Sequence, residues 1–410
     1  MPYGQKFPTG QYVHRLTYCF FHLERRSTGR WRVIMTNIEE TGIRMLAKAA
    51  AEFSRSELTA NREEFDRFPF GPFFSTVLQK AFELDFFHIT LPDSIGGIGM
   101  GTGALCTALD ELCRQDASLG AVILTNCFAQ EILLNAGSTD MLESIVGKAK
   151  KVNSFLLACP LFNNPSEIRH IAKVVEKDGR SFLSGKLAYL VLGGIADAAV
   201  VPAAEEGQET YSYYLIDLGQ ASVTIGDPVL SLGMRCCPAV DTVFHLAEAV
   251  PVGKQGDGDN LFRKVATKLY AAAAAISSGI MKGTFNEALS YARERDQGGR
   301  KIVEWSEMQR MLADMAVHIK IADMVVSETC RKMDRKEKGW EQHALAATIH
   351  IQETAVQVTT DGVQVLGGVG YMQDFGQEKR FRDAKHIQAC FGLTPLKKLR
   401  LFDLVTGKGK

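Results

Sequence analysis

The 410-residue chain balances 47 Lys plus Arg against 47 Asp plus Glu, and 46% of its residues are hydrophobic. Zero net charge argues against a dedicated nucleic-acid binder, which carries a basic excess, and against a polybasic membrane anchor. The length is enough to bury a large core without staples and to fill two to four domains of roughly 100–200 residues each.

Residues 1–34 are basic, with aromatics clustered at Tyr18 to Phe21, and they read as an extension (1–35) ahead of the folded chain. From Asn37 to Glu64 the apolar positions Ile38, Ile43, Leu46, Ala47, Ala50 and Phe53 recur at helical spacing. Residues 70–90 predict a second amphipathic helix. Gly96, Gly97, Gly99 and Gly101 predict a loop, and because no strand precedes them they do not read as a nucleotide fingerprint. Helices follow at 102–115, 116–135 and 139–147, completing a helical domain over 36–150.

The character changes near residue 150. Phe155-Leu156-Leu157, Ala198 to Val201 and Tyr211 to Ile216 read as strands, with turns at Asp178-Gly179, Gly194, Gly219 and Gly226-Asp227. They predict a β domain over 151–256. Beyond it, helical patterns at 261–294, 304–337, 342–366 and 383–405 predict an antiparallel four-helix bundle over 257–410. Strands do not alternate with helices, so a doubly wound sheet is disfavoured. The apolar run Leu269–Met281 is too short to span a bilayer, which takes about 20 residues. Nine cysteines without a CxxC pair, two of them vicinal at Cys236-Cys237, argue for reduced thiols in a cytoplasmic protein rather than a disulfide framework or zinc cage. The histidines show no ligand spacing beyond His343 and His350, and no metal site is expected.

Three stretches resemble the acyl-CoA dehydrogenase family. The first is Leu91-Pro92-Asp93 with Gly96-Gly97-Ile98-Gly99, then Glu111-Leu112 and Asp116-Ala117-Ser118-Leu119-Gly120. The second runs from Tyr291-Ala292-Arg293-Glu294-Arg295-Asp296-Gln297 to Gly299. The third is Thr359 to Tyr371, containing Gln364 and Gly367-Gly368, followed by Arg382-Asp383-Ala384-Lys385. The resemblance covers about residues 36–405. It implies a mostly α fold with an N-terminal helical domain, a barrel- or sandwich-like middle domain and a C-terminal bundle. It also implies FAD, an acyl-CoA thioester substrate, an electron-transfer flavoprotein as electron acceptor, and a homo- or hetero-oligomer built as a dimer of dimers. The implied chemistry is α,β-dehydrogenation. A carboxylate removes the α-proton while hydride leaves the β-carbon for the flavin, and hydrogen bonds polarise the thioester oxygen.

The match is uneven. The usual base position is Phe391, and the alternative one falls at Leu269, beside Tyr270. The stretch that lies against the flavin in the family reads Ala158-Cys159-Pro160-Leu161-Phe162-Asn163-Asn164-Pro165-Ser166-Glu167, of which only Ser166 and Glu167 resemble the motif. A Trp-Ile-Thr-Asn-Gly motif is replaced by Tyr189-Leu190-Val191-Leu192-Gly193, and Val191 lacks the hydroxyl that faces the flavin. Leu393, Thr394 and Pro395 replace residues that reach the adenosine. Kept, by contrast, are Arg295, Gln364, Gly367 and Gly368, whose counterparts contact FAD held mainly by the neighbouring subunit, and Gln297, also read as a cofactor-binding residue, although Gly298 replaces a phenylalanine. The pattern implies the base-lacking subunit of a heteromeric enzyme. A non-oxidative acyl-CoA lyase and an inactive acyl-CoA- or partner-binding protein are the alternatives. Glu167 and Asp374 are spare carboxylates, read as surface acids.

Overall fold

The computed structural model describes residues 29–59, 66–67, 72–168, 171–205 and 210–408, so most of the N-terminal extension lies outside the described residues. Helix α1 (Gly29–Phe53) begins ahead of Met35 and ends in a short π turn at Ser54–Leu58. Helix α2 (Pro72–Glu83) is shorter than its periodicity suggested, because the chain turns at Asp85, which has a left-handed φ of 61°. The glycine loop folds back on the preceding segment through Gly99 N–H to Leu91 O (2.8 Å) and Met100 N–H to Ile89 O (2.9 Å). A Cβ on Gly97 would stand 2.0 Å from Leu91 O, which is a packing reason for glycine there.

Helices α3 (Thr102–Cys113), α4 (Ala117–Asn135) and α5 (Thr139–Lys148) complete the N-terminal layer. Helix α4 is apolar on all sides and buried from Ala117 to Leu133. By length and composition it could cross a membrane, but 94% of its apolar window is buried inside the protein, which makes it a central core helix.

The predicted strand at Phe155–Leu157 is instead a helical turn, α6 (Val152–Phe155), followed by the two-residue strand β1 (Leu157–Ala158). Strands β2 (Ala172–Lys177), β3 (Arg180–Val191), β4 (Ala198–Ala204), β5 (Tyr211–Asp217), β6 (Val223–Pro228) and β7 (Ala239–Val252) follow. The pairings β4–β2, β2–β3, β3–β7, β7–β5 and β5–β4 form a closed ring, so the sheet is a barrel. Closure leaves few unpaired edges. Gly226-Asp227 is not a turn; it lies in β6 at a register shift between Ile225 and Pro228.

The bundle is built from α7 (Gly258–Glu294), α8 (Ser306–Asp334), α9 (Trp340–Leu366) and a broken fourth element. The helix expected over 383–405 is two helices, α10 (Gln377–Ile387) and α11 (Thr394–Thr406). The break falls where Phe391 (φ 61°) and Gly392 (φ 111°) turn left-handed. Pro395 then sits in the first turn of α11, where its missing N–H costs nothing.

Candidate functional site

Leu269 and Phe391, which stand where the resemblance expects a base, are both buried. Leu269 on α7 is fully buried. Phe391 is 1% exposed, and its ring lies 5.3 Å from that of Phe128 on α4 and 5.8 Å from that of Tyr270 on α7. Phe262 extends the cluster, 5.7 Å from Phe128. Burial pushes the Tyr270 phenol up to about 12, so it is neutral at working pH. The Phe391 amide donates to Leu161 O at 3.0 Å. It is therefore not free to polarise a substrate carbonyl.

The turn at 388–392 is held from behind by Lys397. Its ammonium donates to Gln388 O (2.9 Å), Cys390 O (3.1 Å) and Gln352 Oε1 (3.3 Å), and burial lowers its pKa. From the barrel side Glu167 accepts from Leu393 N–H at 2.9 Å and caps the N-terminus of α11. Glu167 is therefore a half-buried structural acid rather than a solvated one. Asp374 is exposed.

On the barrel, Val191 is fully buried, and its carbonyl accepts from Cys159 N–H at 3.1 Å. Ser166 is exposed and donates to Asp259 at the start of α7 (2.8 Å). Tyr189, in place of tryptophan, takes a left-handed φ of 58°. Its hydroxyl bonds Ser231 Oγ at 2.5 Å and His386 Nε2 at 3.2 Å. The Phe162 ring stands 4.5 Å from the His386 ring in an edge-on arrangement. Burial lowers the pKa of His386, with Asp383 acting weakly the other way. Residues 159–167 and 189–191 thus meet residues 386–393 directly.

A buried ionic clamp lies beside this junction. Asp116 caps α4 through Ser118 N–H (2.7 Å) and pairs with Lys379 (3.1 Å). Lys379 also pairs with Asp383 (2.7 Å), whose other oxygen accepts from Met234 N–H (2.6 Å). Burial works against the Lys379 charge, but Asp116 and Asp383 outweigh it and the net shift is upward. Arg382 pairs with Asp66 (2.5 Å) and Glu378 (2.6 Å) and donates to Leu232 O (2.9 Å). The Asp116 motif and the Arg382-to-Lys385 motif therefore form one structure. Sequence reasoning missed that link, along with Phe162, Ser231 and His386; the histidine directly after Lys385 and the aromatic inside the altered 158–167 stretch were the available signals.

The retained residues have a different environment. Arg295 follows the last turn of α7, and its guanidinium makes no hydrogen bond or ion pair among the described residues. Gln297 is exposed in a small hairpin, β8 (Asp296–Gln297) with β9 (Arg300–Lys301), and its carbonyl accepts from Trp305 Nε1. Gly298, where the resembled family has phenylalanine, leaves room for Trp305, which would stand 2.9 Å from a Cβ there. Gln364 is exposed at the end of α9, with its side chain unbonded among the described residues. Gly367 takes φ 62° and ψ −136°, a region essentially limited to glycine, and a Cβ on Gly367 or Gly368 would meet open space. Tyr291 of α7 packs on Phe375, beyond the end of α9 (5.9 Å). Arg295 and Gln297 follow the C-terminal end of α7, and Gln364, Gly367 and Gly368 lie at the C-terminal end of α9. Val191, Ser166, Leu269 and Phe391 belong to the barrel–bundle junction.

Comparison with known proteins agrees with this architecture. The family model for the acyl-CoA dehydrogenase N-terminal domain matches residues 41–149, and that for the C-terminal domain matches residues 259–396. Cyclohexane-1-carbonyl-CoA dehydrogenase of Geobacter metallireducens is 27% identical over 380 residues, covering 90% of this chain and 95% of that protein. A caffeyl-CoA reductase–Etf complex subunit of Acetobacterium woodii is 24% identical over 382 residues, covering 89% and 98%. The structure of butyryl-CoA dehydrogenase from Megasphaera elsdenii superposes with a TM-score of 0.79 at 19% identity, covering 94% of this chain and all of that one. The chain belongs to the acyl-CoA dehydrogenase family, whose members are flavoproteins that bind FAD.

Proposed function

We propose that this chain is the base-lacking subunit of a heteromeric acyl-CoA dehydrogenase-type complex. A related subunit would carry the catalytic carboxylate and hold FAD at the shared interface. The observation that carries the reading is Phe391, a buried ring at the base position with its amide already bonded to Leu161. A carboxylate base cannot be replaced by a hydrocarbon ring.

The rim formed by Arg295, Gln364, Gly367 and Gly368 fits the dinucleotide half of a partner's FAD. A guanidinium unpaired among the described residues suits a pyrophosphate, and open glycines let backbone approach it closely. Gln297 and the exposed Gln364 amide offer further polar contacts. When bound, FAD supplies the hydride acceptor for α,β-dehydrogenation; the role of this chain is to hold and orient it. Electrons would leave through an electron-transfer flavoprotein, a reading supported by the relative named as an Etf complex subunit.

The test is coexpression with a family member that keeps the glutamate. The expected product is a mixed oligomer with one FAD per pair, and Arg295→Ala in this chain should weaken its retention. A pair that fails to assemble, or keeps its flavin unchanged without Arg295, would overturn the reading.

A further inference from the structure

We propose that the barrel and the bundle of this chain are latched together across the cleft in which its own flavin ring would have to lie, so that the chain completes its fold without that flavin. The proposal concerns this chain's own cleft and does not depend on whether a partner's FAD docks at Arg295.

In the resembled family, the flavin lies against the stretches that here are 158–167 and 189–193, and the base on the facing turn reaches toward it. In this chain those surfaces touch. Leu161 O accepts from Phe391 N–H at 3.0 Å, and a backbone bond leaves no room for a ring at that point. Phe162 packs edge-on to His386 at 4.5 Å. The Tyr189 hydroxyl joins Ser231 on the barrel to His386 on α10. Glu167 caps Leu393. Four contacts of different chemistry therefore cross the same junction: backbone–backbone, aromatic, hydroxyl–imidazole and carboxylate–amide.

Val191, which would have to face the ring, is fully buried. On the far side of the turn, Phe391 is packed with Phe128 and Tyr270. A tricyclic ring could enter only by breaking the set and leaving the Leu161 carbonyl and Phe391 amide unpaired, which is costly in a buried setting. The residues that make the latch are among those that depart from the family pattern: Phe162 within the altered 158–167 stretch, Tyr189 for tryptophan and Phe391 for the base.

The test uses the full chain purified alone, with and without excess FAD, followed by gel filtration, visible absorbance and thermal denaturation. The expected result is a colourless, cooperatively folding protein whose midpoint FAD does not move. A stoichiometric flavin with a perturbed spectrum and a midpoint raised by several degrees would overturn the latch. Tyr189→Phe keeps the ring and removes both hydroxyl bonds; it should lower the midpoint by a few degrees, and an unchanged midpoint would contradict the latch.

The partner reading fails separately. A colourless lone chain that also forms no flavin-retaining pair with a glutamate-bearing relative leaves the latch standing and removes the heteromeric function. A yellow lone chain removes the latch, and the effect of Arg295→Ala on the pair then decides the partner reading on its own.

Discussion

The barrel–bundle junction and the helix-end rim are opposite kinds of surface. At the junction, Phe391, Val191 and Leu269 are buried and polar groups are paired with one another, from the Phe391 amide to the Tyr189 hydroxyl. At the rim, Arg295 and Gln364 are exposed, with side chains unbonded among the described residues, and Gly368 opens to solvent. The difference teaches that the two sets of motif positions do different work in this fold: the junction residues hold barrel to bundle, whereas the exposed residues at the helix ends make no side-chain bonds among the described residues.

Substitutions should separate the two surfaces by size of effect. The largest is expected at the clamp. Asp383→Ala breaks one of the two buried ion pairs of Lys379, leaving it Asp116 alone, and removes the acceptor of the buried Met234 N–H. The expected loss is about 3–5 kcal/mol, read by denaturant unfolding. Phe391→Glu should be of similar size, because it removes a packed ring and buries a carboxylate; about 3–5 kcal/mol is expected for loss of the ring alone. In the lone chain this variant should not gain acyl-CoA dehydrogenation in a dye-reduction assay. Activity there would show the junction to be an intact site missing only its base, which would break the comparison.

Tyr189→Phe should cost less, about 1–3 kcal/mol for two hydroxyl bonds in a mostly buried setting. His386 adds a pH dependence. Burial lowers its native pKa below the ordinary value of about 6.5, so the unfolded chain takes up the proton first as pH falls. The stability from neutral His386 is complete above that ordinary value and is lost as pH falls from it toward the depressed native pKa. The thermal midpoint of His386→Gln should therefore fall less than that of the native chain between about pH 7 and 5.5.

The smallest effect on stability is expected at the rim. Arg295→Ala should change folding by no more than about 0.5 kcal/mol, as an exposed substitution without partners among the described residues. Its effect should appear in the flavin retained by the mixed complex, where a lost charge-assisted bond is worth about 1.5–3 kcal/mol.

The sequence carried much of the architecture because its long helices keep their period and its family motifs occur in order. The same motifs set the register that puts Phe391 and Leu269 at the positions where a base is expected. What it did not reveal depends on tertiary contact. Gly392 and Pro395 marked the break at 388–393 as a helix stop and a new start, but the helical period of the flanking residues masked them; the left-handed φ of Phe391 itself depends on its N–H reaching Leu161 O. Glu167 looked like a surface acid because its partner, Leu393 N–H, lies 226 residues away. Tyr189, Ser231 and His386 meet from two domains, and none has a local signal of pairing.

The central claim is the contrast between a closed junction and an open rim, and the number of FAD molecules per chain tests it most directly. It should be measured on the lone chain and on its complex with a glutamate-bearing relative. The account predicts no flavin in the lone chain and one per pair in the complex. One tightly held flavin per lone chain would contradict it.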